Sequence, residues 1–129
     1  MGGRELENVT IELMRRDTLE KETRSFDGIE DYVKQLLEDI QQNIFDKAKK
    51  RLEENTFECN NYDEFKQRIK NGGFFLCPWD GTAETEAKIK ADTQATIRCV
   101  PFGIDQSNPG TDMVSGKPAT CKVIVARSY

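Results

Sequence analysis

Apolar and polar residues alternate in two widely separated parts of the chain. Val9, Ile11 and Leu13 occupy every second position within Leu6 to Arg16, and a similar alternation runs from Cys121 to Tyr129. A period of two residues is typical of a β-strand with one buried face. The first of these strands is isolated in sequence, so we expect it to pair with the late strands or to complete a sheet that lies outside this chain. We also expect the last strand to hold the C-terminal carboxylate in a definite place, because an unanchored terminus frays.

Between these strands the apolar positions follow each other at three- and four-residue steps from about Gly28 to Asn55. This spacing predicts a long amphipathic helix of roughly 40 Å. Acidic residues near its start and basic residues near its end complement the helix dipole. Its predicted apolar stripe comprises Ile29, Val33, Leu36, Leu37, Ile40, Ile44, Ala48 and Leu52.

Shorter elements fill the second half of the chain. Asn61 to Glu64 resembles a capping box, and Asn71 to Gly73 is a typical helix end. Together with the preceding helix these elements predict an α+β protein, in which a long helix leads into a small mixed α/β domain. The predictions are a helix after Asn61, a strand at 74–77, a turn at 78–81, a helix capped by Thr82 to about Ala91, a strand at 95–100 and a loop at 101–117.

Residue usage excludes several kinds of chemistry. The chain has no histidine, which removes Ser-His-Asp and Cys-His catalysis and any zinc site with an imidazole ligand. The four cysteines are spaced too widely for a local Cys-x-x-Cys pair, and we expect reduced, mostly buried thiols. They are Cys59, Cys77, Cys99 and Cys121.

The net charge of −4 argues against independent, tight binding of nucleic acid. Residues 1–60 carry 10 basic and 15 acidic side chains, and residues 61–129 carry 9 and 8. Proteins that grip phosphates usually have a basic excess. There is also no apolar segment long enough to span a bilayer and no signal peptide, so we expect a cytoplasmic protein without membrane contact.

Two groups of charged residues admit a functional and a structural interpretation. Asp80, Glu84 and Glu86 resemble a magnesium or general-acid site, but their positions beside a turn glycine and in a first helical turn favour capping. Basic residues at the end of the first strand and along the long helix are either RNA contacts or solvated, dipole-matched charges. The tRNA-contact candidates are Arg15, Arg16, Lys47 and Lys50.

Five segments together resemble the C-terminal region of class II prolyl-tRNA synthetases of the archaeal and eukaryotic type, which some bacteria also possess. They are Met14–Glu22, Gly81–Glu86, Ile97–Phe102, Ser115–Pro118 and Ala126–Tyr129. The resemblance implies that residues 1–21 are the last strand and exit of an anticodon-binding domain that is otherwise missing. It also implies that 22–57 form a long connecting helix and 58–129 the extra C-terminal domain.

The resemblance further implies a ligand set for structural zinc that this chain has lost. Cys77 matches the first of four family cysteines, whereas Thr82, Met113 and Ser115 stand at the other three positions. A single thiolate cannot supply the roughly 10 to 16 kcal/mol of a structural zinc site. We therefore expect no metal, and we expect helix capping by Thr82 and apolar packing to hold the loops.

The function implied by the resemblance belongs to a longer protein. That enzyme activates proline with ATP and Mg²⁺, attaches it to tRNA(Pro) and is expected to be a homodimer. The present chain is then catalytically inert and without cofactor, and it braces its own catalytic and anticodon-binding domains while turning the carboxylate of Tyr129 toward the active site. The alternative is a stand-alone module, derived from the same domain, that binds a protein or RNA.

Overall fold

The computed structural model describes residues 2–128, without the side chain of Glu5, and these residues form two compact units. Unit 1 is Met1–Arg51 and unit 2 is Leu52–Tyr129. The elements together are an α+β arrangement, as the sequence predicts. None of the helices in the described part is both long and apolar enough to cross a membrane.

Unit 1 is a β-hairpin with a short and a long helix. Helix α1 (Gly3–Asn8) precedes strand β1 (Thr10–Met14), which pairs antiparallel with β2 (Lys21–Ser25). Helix α2 (Ile29–Glu54) follows, and its residues 52–54 belong to unit 2. The predicted first strand is therefore shorter than Leu6 to Arg16, because its first residues are helical, and its partner is β2 rather than a late strand.

The apolar stripe of α2 is only partly covered. Leu36 is buried and Val33 and Ile40 are half-buried, but Leu37 is 62% and Ile44 is 51% exposed. The helix itself confirms the predicted span of Gly28 to Asn55 to within one residue at each end. The broader segment 22–57 is not one helix, since residues 22–25 lie in β2 and residues 56–57 lie in the next strand.

Unit 2 contains a four-stranded sheet in the order β3-β4-β6-β5, with helices α3 and α4 between its strands. Strand β3 runs parallel to β4, and the other two pairings are antiparallel. Its elements are β3 (Thr56–Glu58), α3 (Tyr62–Arg68), a 3₁₀ turn (Ile69–Asn71), β4 (Phe74–Trp79), α4 (Ala83–Thr93), β5 (Ala95–Cys99) and β6 (Cys121–Arg127).

The core of unit 2 lies between this sheet and its helices. Phe65 of α3 meets Phe75 of β4 edge to face, with ring centroids 5.4 Å apart, a favoured aromatic geometry. Val123 and Val125 alternate inward along β6, as the period-two pattern predicts. The central strands thus give the loops at their ends a rigid support.

The helix caps predicted for unit 2 are confirmed. The Asn61 side chain accepts a hydrogen bond from Glu64 N at 3.0 Å, and Thr82 caps α4. The turn predicted at 78–81 is wrong in its first half, because Pro78 and Trp79 continue β4 opposite Lys122 and Cys121.

Candidate functional site

A cluster of carboxylate hydrogen bonds joins two loops of unit 2 that are more than 30 residues apart in sequence. We call it the aspartate hub and define it as Asp80, Thr82, Thr85, Asp112 and Ser115. Asp80 and Thr82 lie between β4 and α4, Thr85 lies in the first turn of α4, and Asp112 and Ser115 lie in the connection before β6.

Asp112 is the buried half of the hub. Its side chain is 2% exposed and accepts three backbone N–H bonds, from Asp80 at 2.8 Å, Val114 at 2.7 Å and Ser115 at 2.9 Å. Its own N–H donates to Lys117 O at 2.8 Å. A buried carboxylate requires such compensation for lost hydration. Asp112 therefore both folds its own turn and ties that turn to Asp80.

Asp80 is the second half and organises the start of α4. Its carboxylate accepts from Thr82 N at 3.0 Å, Thr82 Oγ1 at 2.8 Å and Thr85 Oγ1 at 3.0 Å. Desolvation favours the neutral carboxyl, but the hydrogen bonds from Ser115, Thr82 and Thr85 outweigh it and lower the pKa of Asp80 to about 2. Asp80 is thus an ionised acceptor at neutral pH rather than a general acid.

Two side chains donate hydrogen bonds to backbone carbonyls of the same loop. Trp79 Nε1 donates to Thr82 O at 3.2 Å, and Thr120 Oγ1 donates to Asp80 O at 2.9 Å. Gly81 has φ +83°, and a Cβ atom there would lie 3.0 Å from the Thr120 hydroxyl. The turn after β4 therefore requires glycine both for its conformation and for its close approach to Thr120.

An open cavity of about 250 Å³ lies over the hub. Asp80, Thr82, Thr85 and Ser115 form part of its lining. Lys88 and Lys117 add positive charge to the lining, and Glu84 adds negative charge. The hydroxyls of Thr82 and Thr85 are already committed to Asp80. Asp80, Thr82 and Thr85 thus hydrogen-bond to one another beneath this cavity.

The basic candidates of unit 1 occupy unequal environments. Arg15 makes a bidentate ion pair with Asp17, in which its Nε and Nη2 atoms lie 3.0 and 2.7 Å from the two carboxylate oxygens. Lys47 Nζ donates to the backbone oxygen of Asp17 at 3.4 Å. The Asp17 carboxylate is 1% exposed, and the guanidinium of Arg15 followed by the amide of Asn43 holds its pKa well below the usual range. Arg15 and Lys47 are therefore used within unit 1, where they hold the β1–β2 turn against α2.

The other predicted site residues, Arg16, Lys50 and Tyr129, are not part of this ion-pair cluster in the described structure. Arg16 is exposed after the end of β1. Lys50 is exposed near the end of α2 and also has an interaction partner. Tyr129 lies outside the described residues.

Comparison with known proteins decides the family. The sequence pattern described as "Prolyl-tRNA synthetase, C-terminal" matches residues 62–129, more than half of the chain. The chain belongs to this prolyl-tRNA synthetase C-terminal family. The match includes every residue of the aspartate hub.

Curated relatives extend the similarity over the whole chain. A proline–tRNA ligase of Phocaeicola vulgatus is 59% identical over 131 residues, one of Bacteroides fragilis is 58% identical over 132, and one of Cytophaga hutchinsonii is 48% identical over 130. Each alignment covers 100% of this chain but only 26 to 27% of the relative. The chain thus spans about a quarter of the length of these ligases.

The donor chemistry at the four zinc-type positions does not fit a zinc ion. Burial, followed by nearby Cys59 and Asp112, raises the pKa of the Cys77 thiol and keeps it protonated. Thr82 is engaged as a helix cap, and Met113 is half-buried against the core. Nowhere in residues 2–128 do three or more Cys, Asp or Glu side chains converge as a metal site would require. The structure instead links Thr82 and Ser115 through the Asp80 carboxylate.

The sequence analysis missed Asp112. Asp112 stands in a segment rich in glycine and proline, where aspartate usually signals a turn. The available signal was an Asx-type turn, in which an aspartate side chain accepts hydrogen bonds from the backbone N–H groups two and three residues later. Here those N–H groups belong to Val114 and Ser115.

Proposed function

We propose that this chain is the C-terminal part of a prolyl-tRNA synthetase whose full length activates proline with ATP and Mg²⁺ and attaches it to tRNA(Pro) in the cytoplasm. The supporting observation is its alignment, over its whole length, with a quarter of several proline–tRNA ligases. The chemistry then belongs to the rest of that protein. The hub and the packed core of unit 2 support a bracing role for this part.

Unit 1 supports the proposal that its hairpin completes an anticodon-binding domain. A two-stranded sheet is marginal by itself. Large apolar side chains remain exposed on both the hairpin and the helix, including Met14 at 52%, Leu37 at 62% and Phe45 at 55%. Further strands and helices of the same domain would cover such side chains. In this proposal, residues 1–21 belong to that domain and unit 2 is the separate C-terminal domain.

Arg16 is the strongest tRNA-contact candidate of the four basic residues. It is exposed, whereas the charges of Arg15 and Lys47 are directed to Asp17. In the full-length enzyme we expect Arg16→Ala to raise KM for tRNA(Pro) without changing proline activation. Arg15→Ala, by comparison, should lower the stability of unit 1. An unchanged KM for tRNA with Arg16→Ala contradicts the assignment.

Tyr129 is proposed to turn its carboxylate toward the aminoacylation site of the catalytic domain. The test is to append residues after Tyr129 in the full-length enzyme and to measure aminoacylation. We expect a clear loss of kcat, because the added residues displace the carboxylate. Unchanged kinetics remove this role while leaving the assignment to the ligase intact.

The decisive experiment for the function as a whole uses the gene product as it occurs in the cell. An antibody against this chain is expected to detect a homodimeric protein about four times as long, with proline-dependent ATP–pyrophosphate exchange and tRNA(Pro) charging. The 129-residue chain alone should show neither activity. Detection of only the 14.8 kDa chain would favour the stand-alone interaction module instead.

A further inference from the structure

Strand β6, the last strand of unit 2, is contacted by Arg98, whose side chain is redirected by a β-bulge in β5. In the ladder between β5 and β6, Ile97 lies opposite Val125 and Cys99 lies opposite Ile124, so Arg98 is the extra residue. A bulge bends its strand and redirects the side chain of the unpaired residue. Bulges of this kind are frequent where one particular side chain has to reach a defined place.

The redirected Arg98 side chain reaches along β6 toward its C-terminal end. Its guanidinium donates to Ala126 O at 3.3 Å and to the Ser128 hydroxyl. In the regular part of the ladder, Ala126 lies opposite Thr96 rather than opposite the bulge. Arg98 therefore spans several residues of β6 and contacts the chain where the strand has ended.

A second contact joins the same segment to the C-terminal end of α4. Arg127 donates to Gln94 Oε1 at 2.9 Å, and Gln94 caps α4 in a left-handed conformation with φ +61°. The Arg127 Nε atom is buried without a partner among the described residues. The Arg127 side chain is thus held by packing and by one hydrogen bond to the Gln94 side chain. Arg98 bonds to the two residues that flank Arg127 in sequence.

We propose that Arg98 is a positioning residue that sets the direction in which the chain leaves β6, and so places the residue that follows Ser128. This inference rests on the proposed function, in which that residue, Tyr129, faces the aminoacylation site. Arginine suits this role because its planar guanidinium presents several donors in a fixed geometry, whereas lysine provides a single flexible charge.

The first test measures the segment itself in the full-length synthetase. Arg98→Ala is expected to accelerate amide hydrogen exchange of a peptide covering residues 124–128 by about tenfold, the order that hydrogen bonds to a charged group contribute. Ser128→Ala should give part of this effect. Lys70→Ala, which alters an exposed basic residue in the 3₁₀ turn, is the matched control and should leave the exchange unchanged.

The second test measures the reaction. We expect Arg98→Ala to lower kcat for aminoacylation with KM for proline and ATP nearly unchanged, and Arg98→Lys to recover part of the loss. A general loss of folding would instead lower the melting temperature, because the fall in kcat would then come from a smaller fraction of folded enzyme. The control Lys70→Ala should behave as wild type.

The outcomes separate this inference from the function on which it rests. Unchanged exchange in residues 124–128 with Arg98→Ala overturns the positioning role, whatever the enzyme's activity. Accelerated exchange with unchanged aminoacylation confirms that Arg98 holds the segment and overturns its part in the reaction. Absence of prolyl-tRNA synthesis by the wild-type protein overturns the proposed function alone.

Discussion

At the scale of single residues, Asp112 has an unusual position for an aspartate in a connecting loop. Its carboxylate is buried, which would cost several kcal/mol without compensating donors. Backbone N–H groups of Asp80, Val114 and Ser115 supply that compensation from two different loops. The carboxylate therefore connects the segment after β4 to the segment before β6 without any side-chain cation.

We expect Asp112→Asn to destabilise unit 2 by roughly 1 to 3 kcal/mol, the cost of leaving a buried donor without its acceptor. Asparagine retains one acceptor oxygen, but its NH₂ group must face either the Asp80 N–H or the pair from Val114 and Ser115. Equilibrium unfolding in urea measures the change.

Asp105→Asn is the matched control for this prediction. Asp105 lies in the same connection between β5 and β6, is exposed and accepts one backbone N–H, from Ser107 at 2.9 Å. Its replacement should change the free energy of unfolding by less than about 0.5 kcal/mol. Equal effects of the two substitutions would contradict the special role of Asp112.

Asp80 gives the same loops a defined dependence on pH. Its pKa in the folded protein is about 2, against an ordinary value of 3.8. A carboxyl with a lowered folded-state pKa stabilises the protein above its ordinary pKa, and this contribution is lost as the pH falls toward the folded value. The loss should therefore occur between pH of about 4 and about 2.

Comparison of wild type with Asp80→Asn isolates this contribution. The variant should be less stable at neutral pH, and the difference in unfolding free energy should shrink as the pH falls from about 4 to about 2. Asp17 also has a lowered pKa, but its contribution is the same in both proteins and cancels in the difference. A difference that does not change over this range would show that the hydrogen bonds of Asp80 do not depend on its charge.

At the scale of elements, the sequence predicts what an apolar period or a cap encodes locally. A local signal predicts helix α2, the caps at Asn61 and Thr82, and strands β5 and β6. Strand β2 has none, since its sequence Lys-Glu-Thr-Arg-Ser contains no apolar residue. Its pairing with β1 provides the strand, and such tertiary effects override local pattern.

The candidate site divides in the same way. The capping role of Thr82 follows from local sequence, but the bond from Asp80 N to Asp112 joins residues 32 positions apart. The same holds for the bulge at Arg98, which exists only relative to the register of β6. Long-range geometry of this kind leaves no periodic trace in one strand or loop.

The two loops of the aspartate hub lead to a prediction about metal. The thiol of Cys77 is buried in β4 with a raised pKa, and Asp80 already links Thr82 to Ser115. We therefore expect purified protein to contain far less than one zinc per chain after dialysis, as measured by elemental analysis. Chelator treatment should leave the melting temperature unchanged. One zinc per chain that survives dialysis would refute the interpretation of the hub.

At the scale of the whole molecule, the buried apolar residues are distributed unequally between the units. Leu36, which is still 9% exposed, is the one buried apolar residue in the described part of unit 1. Unit 2, by contrast, has a continuous core that includes Phe65, Phe75, Val123 and Val125. Local stability follows buried apolar contact. Unit 1 thus has the features of a segment that depends on further packing, in agreement with the proposal that other parts of a synthetase cover it.

Hydrogen exchange of the 129-residue chain should show this inequality directly. Amides of β4 and β6 are expected to exchange slowest, and those of β1 and β2 at least about a hundredfold faster, because a difference of about 3 kcal/mol in opening free energy gives that ratio. Helix α2 provides an internal control, since Leu36 lies in its N-terminal half and its C-terminal half has exposed Ile44 and Leu52. Exchange should therefore increase along the helix. Equal protection of β1 and β4 would contradict this prediction, since the hairpin would then be stable with the packing that this chain alone provides.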